Sequence, residues 1–241
     1  LLAVGGGLFL ENFGNLFGLG IVHLGNLGYI ATMLAVIGAI NAFNMMDGID
    51  GLAGSMALVS FGSLALLFML CGDDYGLRIA LIFLGVLLPY LANNLLLPPF
   101  KHKIFMGDAG SMLIGFSIVW LLIHGTQSTT TSFRPVTALW LIAIPLMDMA
   151  AIMLRRILKG QSPFLADRDH LHHIFMRAGF SPRQALLIIT LASVFLAIIG
   201  LTGEWLRIPE VVMFGSFLLL FGLYSYMLQH SWKFLKSFHA L

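Results

Sequence analysis

The run Asn41-Ala-Phe-Asn44-Met-Met-Asp47-Gly-Ile-Asp50-Gly51 sets four carboxamide or carboxylate side chains three residues apart. Residues at that spacing are neighbours on one helix face. A last turn tightened towards a 3₁₀ form would align them further. Two close carboxylates, Asp47 and Asp50, repel each other unless a cation joins them. A divalent metal carrying a phosphate group would serve. Gly48 and Gly51 let the chain leave the helix and approach a ligand closely. An ordinary Asp-Gly turn is the competing reading. Asn41 and Asn44 weigh against it, because they sit in an apolar run where buried polar groups tend to have partners and roles.

A second group is Lys101-His-Lys103-Ile-Phe-Met-Gly107-Asp108-Ala-Gly110-Ser111. Here Asp108 is either a metal ligand or the N-cap of the helix that follows. Lys101 and Lys103 read as ordinary basic residues of a charged loop. A third group is Asp167-Arg168-Asp169-His170-Leu-His172-His173. His170 and His173 would share a helix face. The choices there are sugar or phosphate binding, a zinc site lacking its fourth ligand, or a polar surface helix. Asp148 lies inside an apolar run three residues after Pro145, a residue expected to kink its helix. Pairing with Arg155 or Arg156 is the structural role expected for it.

Composition fixes the elements that must position these groups. Hydrophobic residues make up 59% of the 241 and charged residues 10%, with a mean hydropathy of +0.95. A soluble domain carries about 25% charged residues. A spanning helix needs about 20 mostly apolar residues. Seven stretches qualify: Leu27–Met46, Leu52–Cys71, Leu77–Leu97, Ala109–His124, Val136–Leu154, Gln184–Leu201 and Val211–Leu228. Leu1–Leu10 reads as the tail of an eighth. Ala109–His124 is short and is expected to extend or tilt. The fold class is therefore all-α, a polytopic transmembrane bundle forming a single domain over 1–241. With one cysteine, Cys71, no internal disulfide is available.

Orientation follows from the basic residues. Lys101, Lys103, Arg155, Arg156, Lys159, Arg168, Arg177, Arg183, Lys233 and Lys236 fall on one side, in loops 47–51, 98–108 and 155–183 and the tail 230–241. Only Arg78, Arg134 and Arg207 fall on the other. The bias places the first side in the cytoplasm. Asp47, Asp50, Asp108, Asp167 and Asp169 all lie there, so any chemistry should meet cytosolic substrates. A net charge of +2 gives no reason to expect a nucleic-acid partner.

In order along nearly the whole chain, Asn41–Gly51, Phe105–Gly110, Pro145-Leu-Met-Asp148 and Asp167–His173 resemble the polyprenyl-phosphate N-acetylhexosamine-1-phosphate transferases, glycosyltransferase family 4. His170-Leu-His172-His173 is similar to the His-x-His-His signature of the branch that uses UDP-N-acetylglucosamine and undecaprenyl phosphate. The branch that uses UDP-muramoyl-pentapeptide has a different His run. The resemblance implies a bacterial inner-membrane enzyme with its active site facing the cytoplasm. In its reaction a lipid phosphate oxygen attacks the β-phosphorus of the sugar nucleotide and UMP leaves. That is the first membrane step of a cell-envelope polysaccharide such as lipopolysaccharide O-antigen. It implies Mg²⁺, with Mn²⁺ as a substitute, and is compatible with a homodimer. Carried onto this sequence, Asp108 would hold the metal. Asp47 and Asp50 would be the catalytic carboxylates, lining the nucleotide and metal site with Asn44. Arg168, His170, His172 and His173 would bind the sugar or its phosphates.

The family also carries an Asp-Asp-x-x-Asp-type motif in an earlier cytoplasmic loop. Nothing like it precedes Asn41, and Asp73-Asp74 falls on the outer side. The stretch is therefore expected to be an N-terminally truncated part of a longer chain. Roughly three or four more spans and a cytoplasmic Asp-Asp pair are expected upstream, with activity depending on them. A same-family transferase using another UDP-N-acetylhexosamine is one alternative. An ion-coupled transporter is another, with Asn41, Asn44 and Asp148 lining its path. It would lack a visible inverted repeat and has its polar groups gathered on one side. A non-catalytic scaffold leaves the Asn-Asp stripe and the His run unexplained.

Overall fold

A backbone surrounded by apolar side chains and lipid has no water to bond to, so each peptide group must find its partner within its own helix. The computed structural model describes residues 7–128, 131–162 and 170–229 and has nine helices among them. They are α1 Leu27–Met45, α2 Leu52–Cys71, α3 Asp74–Asn94, α4 Gly107–Gln127, α5 Pro135–Leu141, α6 Ala143–Leu158, α7 Leu171–Arg177, α8 Pro182–Trp205 and α9 Glu210–Gln229. Six are long and apolar enough to cross a membrane, and α5 with α6 makes a seventh, broken span. The short stretch expected at Ala109–His124 does extend, to 21 residues. The third span starts earlier than expected, at Asp74, because the Asp73 side chain accepts from the Gly76 amide and caps it. Residues 7–10 are not helical; the rest of the expected eighth-span tail, 1–6, lies outside the described residues.

Two helices form the centre. In α2 and α4, 61% of the spanning stretch is buried, against 22–33% in the other single-helix spans, whose remaining surface is left to face lipid. Small residues Ala53, Ala57, Ser60 and Ala65 keep α2 thin. Its own Met56, Phe61, Leu64 and Phe68, with Phe43 of α1 and Ile118 and Leu121 of α4, are almost wholly buried.

The expected kink becomes a sharper break. α5 and α6 meet at Ile142 with an 85° bend. Pro145 has no N–H to donate to Leu141, four residues earlier. In lipid that carbonyl would be costly to leave unmet, and the Ser60 hydroxyl of α2 donates to it at 3.0 Å. The break is thus held from the neighbouring span.

The polar contacts sort into two ends. Away from the Lys- and Arg-rich loops, Arg134 pairs with Glu204 at 3.2 Å and donates to the Ile208 and Gly203 carbonyls at 2.6 and 2.8 Å. At the same end His124 bonds Asp73 at 2.9 Å. Gln127 holds a short hairpin, in which Phe13 and Val22 exchange backbone bonds with Val22 and Gly14. The other end carries the groups singled out for chemistry.

Candidate active site

The segment after α1 is a run of tight turns, as its spacing suggested. Met46 donates to Phe43, Asp47 to Asn44 and Leu52 to Ile49, each three residues back. Gly51 then takes φ +76°, a left-handed conformation that lets α2 start at once. These turns bring Asn44, Asp47 and Asp50 to the end of the bundle. Asn41 stays inside α1 and donates to the Ile37 carbonyl.

Asp108 arrives from α4 and meets this segment. It is the second residue of its helix; Met106 holds the N-cap position, with no side-chain cap bond. The capping role that competed with metal binding is therefore not the one Asp108 plays. Its Oδ1 accepts from Asn44 Nδ2 at 3.3 Å, and Asn44 also donates to Ser111 at 3.0 Å. Ser111 is fully buried one turn after Asp108. Burial, then the negative charges of Asp108 and Asp50, push the Asp47 carboxyl above its ordinary pKa. Lys103 is more than a loop charge: it forms an ion pair with Asp50, and its ammonium lies 5.4 Å from the Phe105 ring centre.

The imidazoles come from α7. The His172 ring lies directly against the backbone of Gly48, where any Cβ would run into it. Gly48 is thus required by close approach, and it joins the carboxylate turns to the His run. His172 is 1% exposed, and neither ring nitrogen has a hydrogen-bond partner among the described residues. Burial first, then His173 and His170, lower its pKa to about 4, so the ring is neutral at physiological pH. His173 packs on His172 at 4.2 Å, and His170 stacks parallel to it at 5.9 Å. Arg168, Asp167 and Asp169 lie outside the described residues.

Asp148 departs from expectation. Its partners are His170 Nδ1 at 2.9 Å, the Leu171 amide at 3.1 Å and the Tyr224 hydroxyl at 2.6 Å, rather than Arg155 or Arg156. Nothing in the sequence singled out Tyr224, which lies 76 residues away. A small cavity of about 110 Å³ lies beside Asp50, lined also by Asn94, Lys103 and Arg183 among others. Asn94 is 3% exposed, and its Oδ1 is buried without a partner among the described residues.

The donor set decides which metal fits. Among the described residues no three His, Cys, Asp or Glu side chains gather as a metal cage. Zinc, which wants four protein or water ligands with nitrogen or sulfur prominent, has no such site among the described residues. Mg²⁺ takes one or two carboxylates and completes its shell with phosphate and water oxygens. The juxtaposed Asp47 and Asp108, one with a raised proton affinity, fit that requirement.

A helical bundle with six or seven spans long and apolar enough to cross a membrane, carrying carboxylates, cations and an imidazole at its basic end, defines a polytopic membrane protein. Residues 1–126 match the profile of glycosyl transferase family 4, and the chain belongs to that family. It is 50% identical over 236 residues to an undecaprenyl-phosphate alpha-N-acetylglucosaminyl 1-phosphate transferase of Yersinia pestis, covering 96% of this chain and 65% of that protein. Proteins of the same description from Escherichia coli K12 and Pasteurella multocida are 48% and 51% identical, over 97% and 95% of this chain. The chain spans just under two thirds of the length of these relatives.

Proposed function

We propose that the whole protein transfers N-acetylglucosamine 1-phosphate from UDP-N-acetylglucosamine to undecaprenyl phosphate at the cytoplasmic face of a bacterial inner membrane, releasing UMP. The observation that carries this reading is the meeting of the Asp47–Asp50 turns, Asp108 and His172 at one end of the bundle. It is supported by relatives of that description at about 50% identity. A lipid phosphate oxygen bonds to the phosphorus that carries the sugar, the bond from that phosphorus to the UMP oxygen breaks, and UMP departs with the electron pair.

Asp108 and Asp47 are the residues that would hold Mg²⁺, which when bound neutralises charge on the diphosphate. Lys103 and Arg183 offer cations for the nucleotide phosphates. The buried Asn94 Oδ1 offers an acceptor for the imide N–H of the base. His172, neutral and dry, suits hydrogen bonding to the sugar; His170, His173 and Arg168 complete the sugar and phosphate contacts. An apolar cleft of about 270 Å³ runs between α1, α4 and the α5–α6 break, past Gly38, Phe43, Leu139 and Pro145. It suits an isoprenoid tail entering sideways from lipid.

The test is UMP release by the full-length protein in micelles, with undecaprenyl phosphate, Mg²⁺ and one sugar nucleotide at a time. UDP-N-acetylglucosamine should exceed UDP-N-acetylgalactosamine and UDP-muramoyl-pentapeptide by about 10-fold or more in kcat/KM. Release with another of these and not with UDP-N-acetylglucosamine would move the protein to a different branch of the family.

A further inference from the structure

Asp148 is the most enclosed carboxylate among the described residues at 1% exposure, yet no role in phosphate or sugar binding falls to it. Its two oxygens have three donors from two other helices. Oδ1 accepts from the Leu171 amide at 3.1 Å and the Tyr224 hydroxyl at 2.6 Å; Oδ2 faces His170 Nδ1 at 2.9 Å. The Leu171 amide opens α7, whose N-cap residue, His170, makes no cap bond of its own. A carboxylate on α6 therefore supplies the cap of α7, and Tyr224 on α9 braces that carboxylate.

This geometry fixes the chemistry of His170. An ionised carboxylate only accepts hydrogen bonds, so the ring nitrogen facing it must carry the proton. In the neutral ring Nε2 is then left as an acceptor. The ring next in line, His172, is parallel to His170 and lies against Gly48 of the carboxylate turns. The same buried carboxylate thus sets the tautomer of one imidazole and the placement of the short helix that carries all three.

We infer that Asp148 and Tyr224 are positioning residues: they lock α7 against the site and hold His170 as its Nδ1–H tautomer, with Nε2 presented as an acceptor. Their effect on turnover rests on the transferase reading above; the tautomer itself does not. Removing the outer partner of a metal-bound histidine typically costs 10–100-fold in activity, and a loss of that order is expected when His170 loses its partner.

The test uses the full-length protein with ¹⁵N-labelled histidine in micelles, with His170 assigned by His170→Gln. In the wild type, His170 should show a protonated Nδ1 and an unprotonated Nε2. Asp148→Asn is nearly isosteric. Its oxygen is claimed by the Leu171 amide and Tyr224, so an NH₂ faces His170. The ring should then flip to the Nε2–H tautomer, and kcat should fall about 100-fold with a smaller change in KM. Tyr224→Phe should keep the wild-type tautomer and lower kcat/KM about 10-fold. An Nε2–H tautomer in the wild type would overturn the inference. So would a tautomer flip in Asp148→Asn that leaves kcat at the wild-type value. If wild-type protein shows the expected tautomer but releases no UMP, the transferase reading fails and the clamp stands.

Discussion

At the scale of residues, His172 gives a prediction with a definite sign. The folded ring resists a proton until about pH 4, whereas an ordinary imidazole takes one near 6.5. The unfolded chain therefore binds a proton that the fold refuses, and stability falls as pH drops from about 6.5 to 4. The loss from this group is at most about 3 kcal/mol. In micelles, urea unfolding should show that fall, and His172→Gln should flatten it. An unchanged slope in the variant would mean the ring is not buried and neutral. The spacing of Asn44, Asp47 and Asp50 and the glycine beside Asp108 were legible in sequence because helix periodicity is local. The partners of Asp148 were not, since Tyr224 is brought to it only by packing of α6 and α9. Lys103 looked like any loop cation until the fold set it on Asp50.

At the scale of elements, two contacts predict different balances of function and stability. Gly48 is where the carboxylate turns touch α7. Gly48→Ala should push His172 away and cost about 100-fold in kcat, the usual effect of a displacement near 1 Å. Its melting temperature should fall as well, because the displaced ring is buried. Arg134 lies at the other end of the bundle. Arg134→Ala removes the cation that pairs with Glu204 and donates to the Gly203 and Ile208 carbonyls, although the Thr137 hydroxyl still reaches Glu204 and the Ile208 amide still reaches Gly203. It should cost about 1–3 kcal/mol of stability and leave KM for the sugar nucleotide unchanged. Thermal unfolding and initial rates on both variants check the pair. The spans themselves were legible because their apolar length is set by the bilayer. The α5–α6 break was foreseen only as a kink. Its sharpness depends on Ser60 of another helix accepting the task of bonding Leu141.

At the scale of the whole molecule, the two polar ends predict which side each group can be reached from. Cys71 is exposed at the end away from the basic loops. A membrane-impermeant thiol reagent should label it from outside intact spheroplasts. Lys159→Cys in a Cys71→Ser background should react only after the membrane is opened. The reverse pattern would invert the orientation. Labelling of an Asn41→Cys variant from both sides would favour the transporter reading instead. The positive-inside bias predicts this orientation from the loops alone, without tertiary structure. The assembly of the site was not legible to the same degree. It depends on loops far apart in sequence meeting at one end.

The proposal that Asp47, Asp108 and His172 converge on a metal-assisted phosphate transfer is tested most directly by Asp108→Ala in the full-length protein. With UDP-N-acetylglucosamine, undecaprenyl phosphate and saturating Mg²⁺, UMP release should fall at least about 10³-fold while the variant still folds and inserts. A near-normal rate of UMP release from Asp108→Ala would contradict the account.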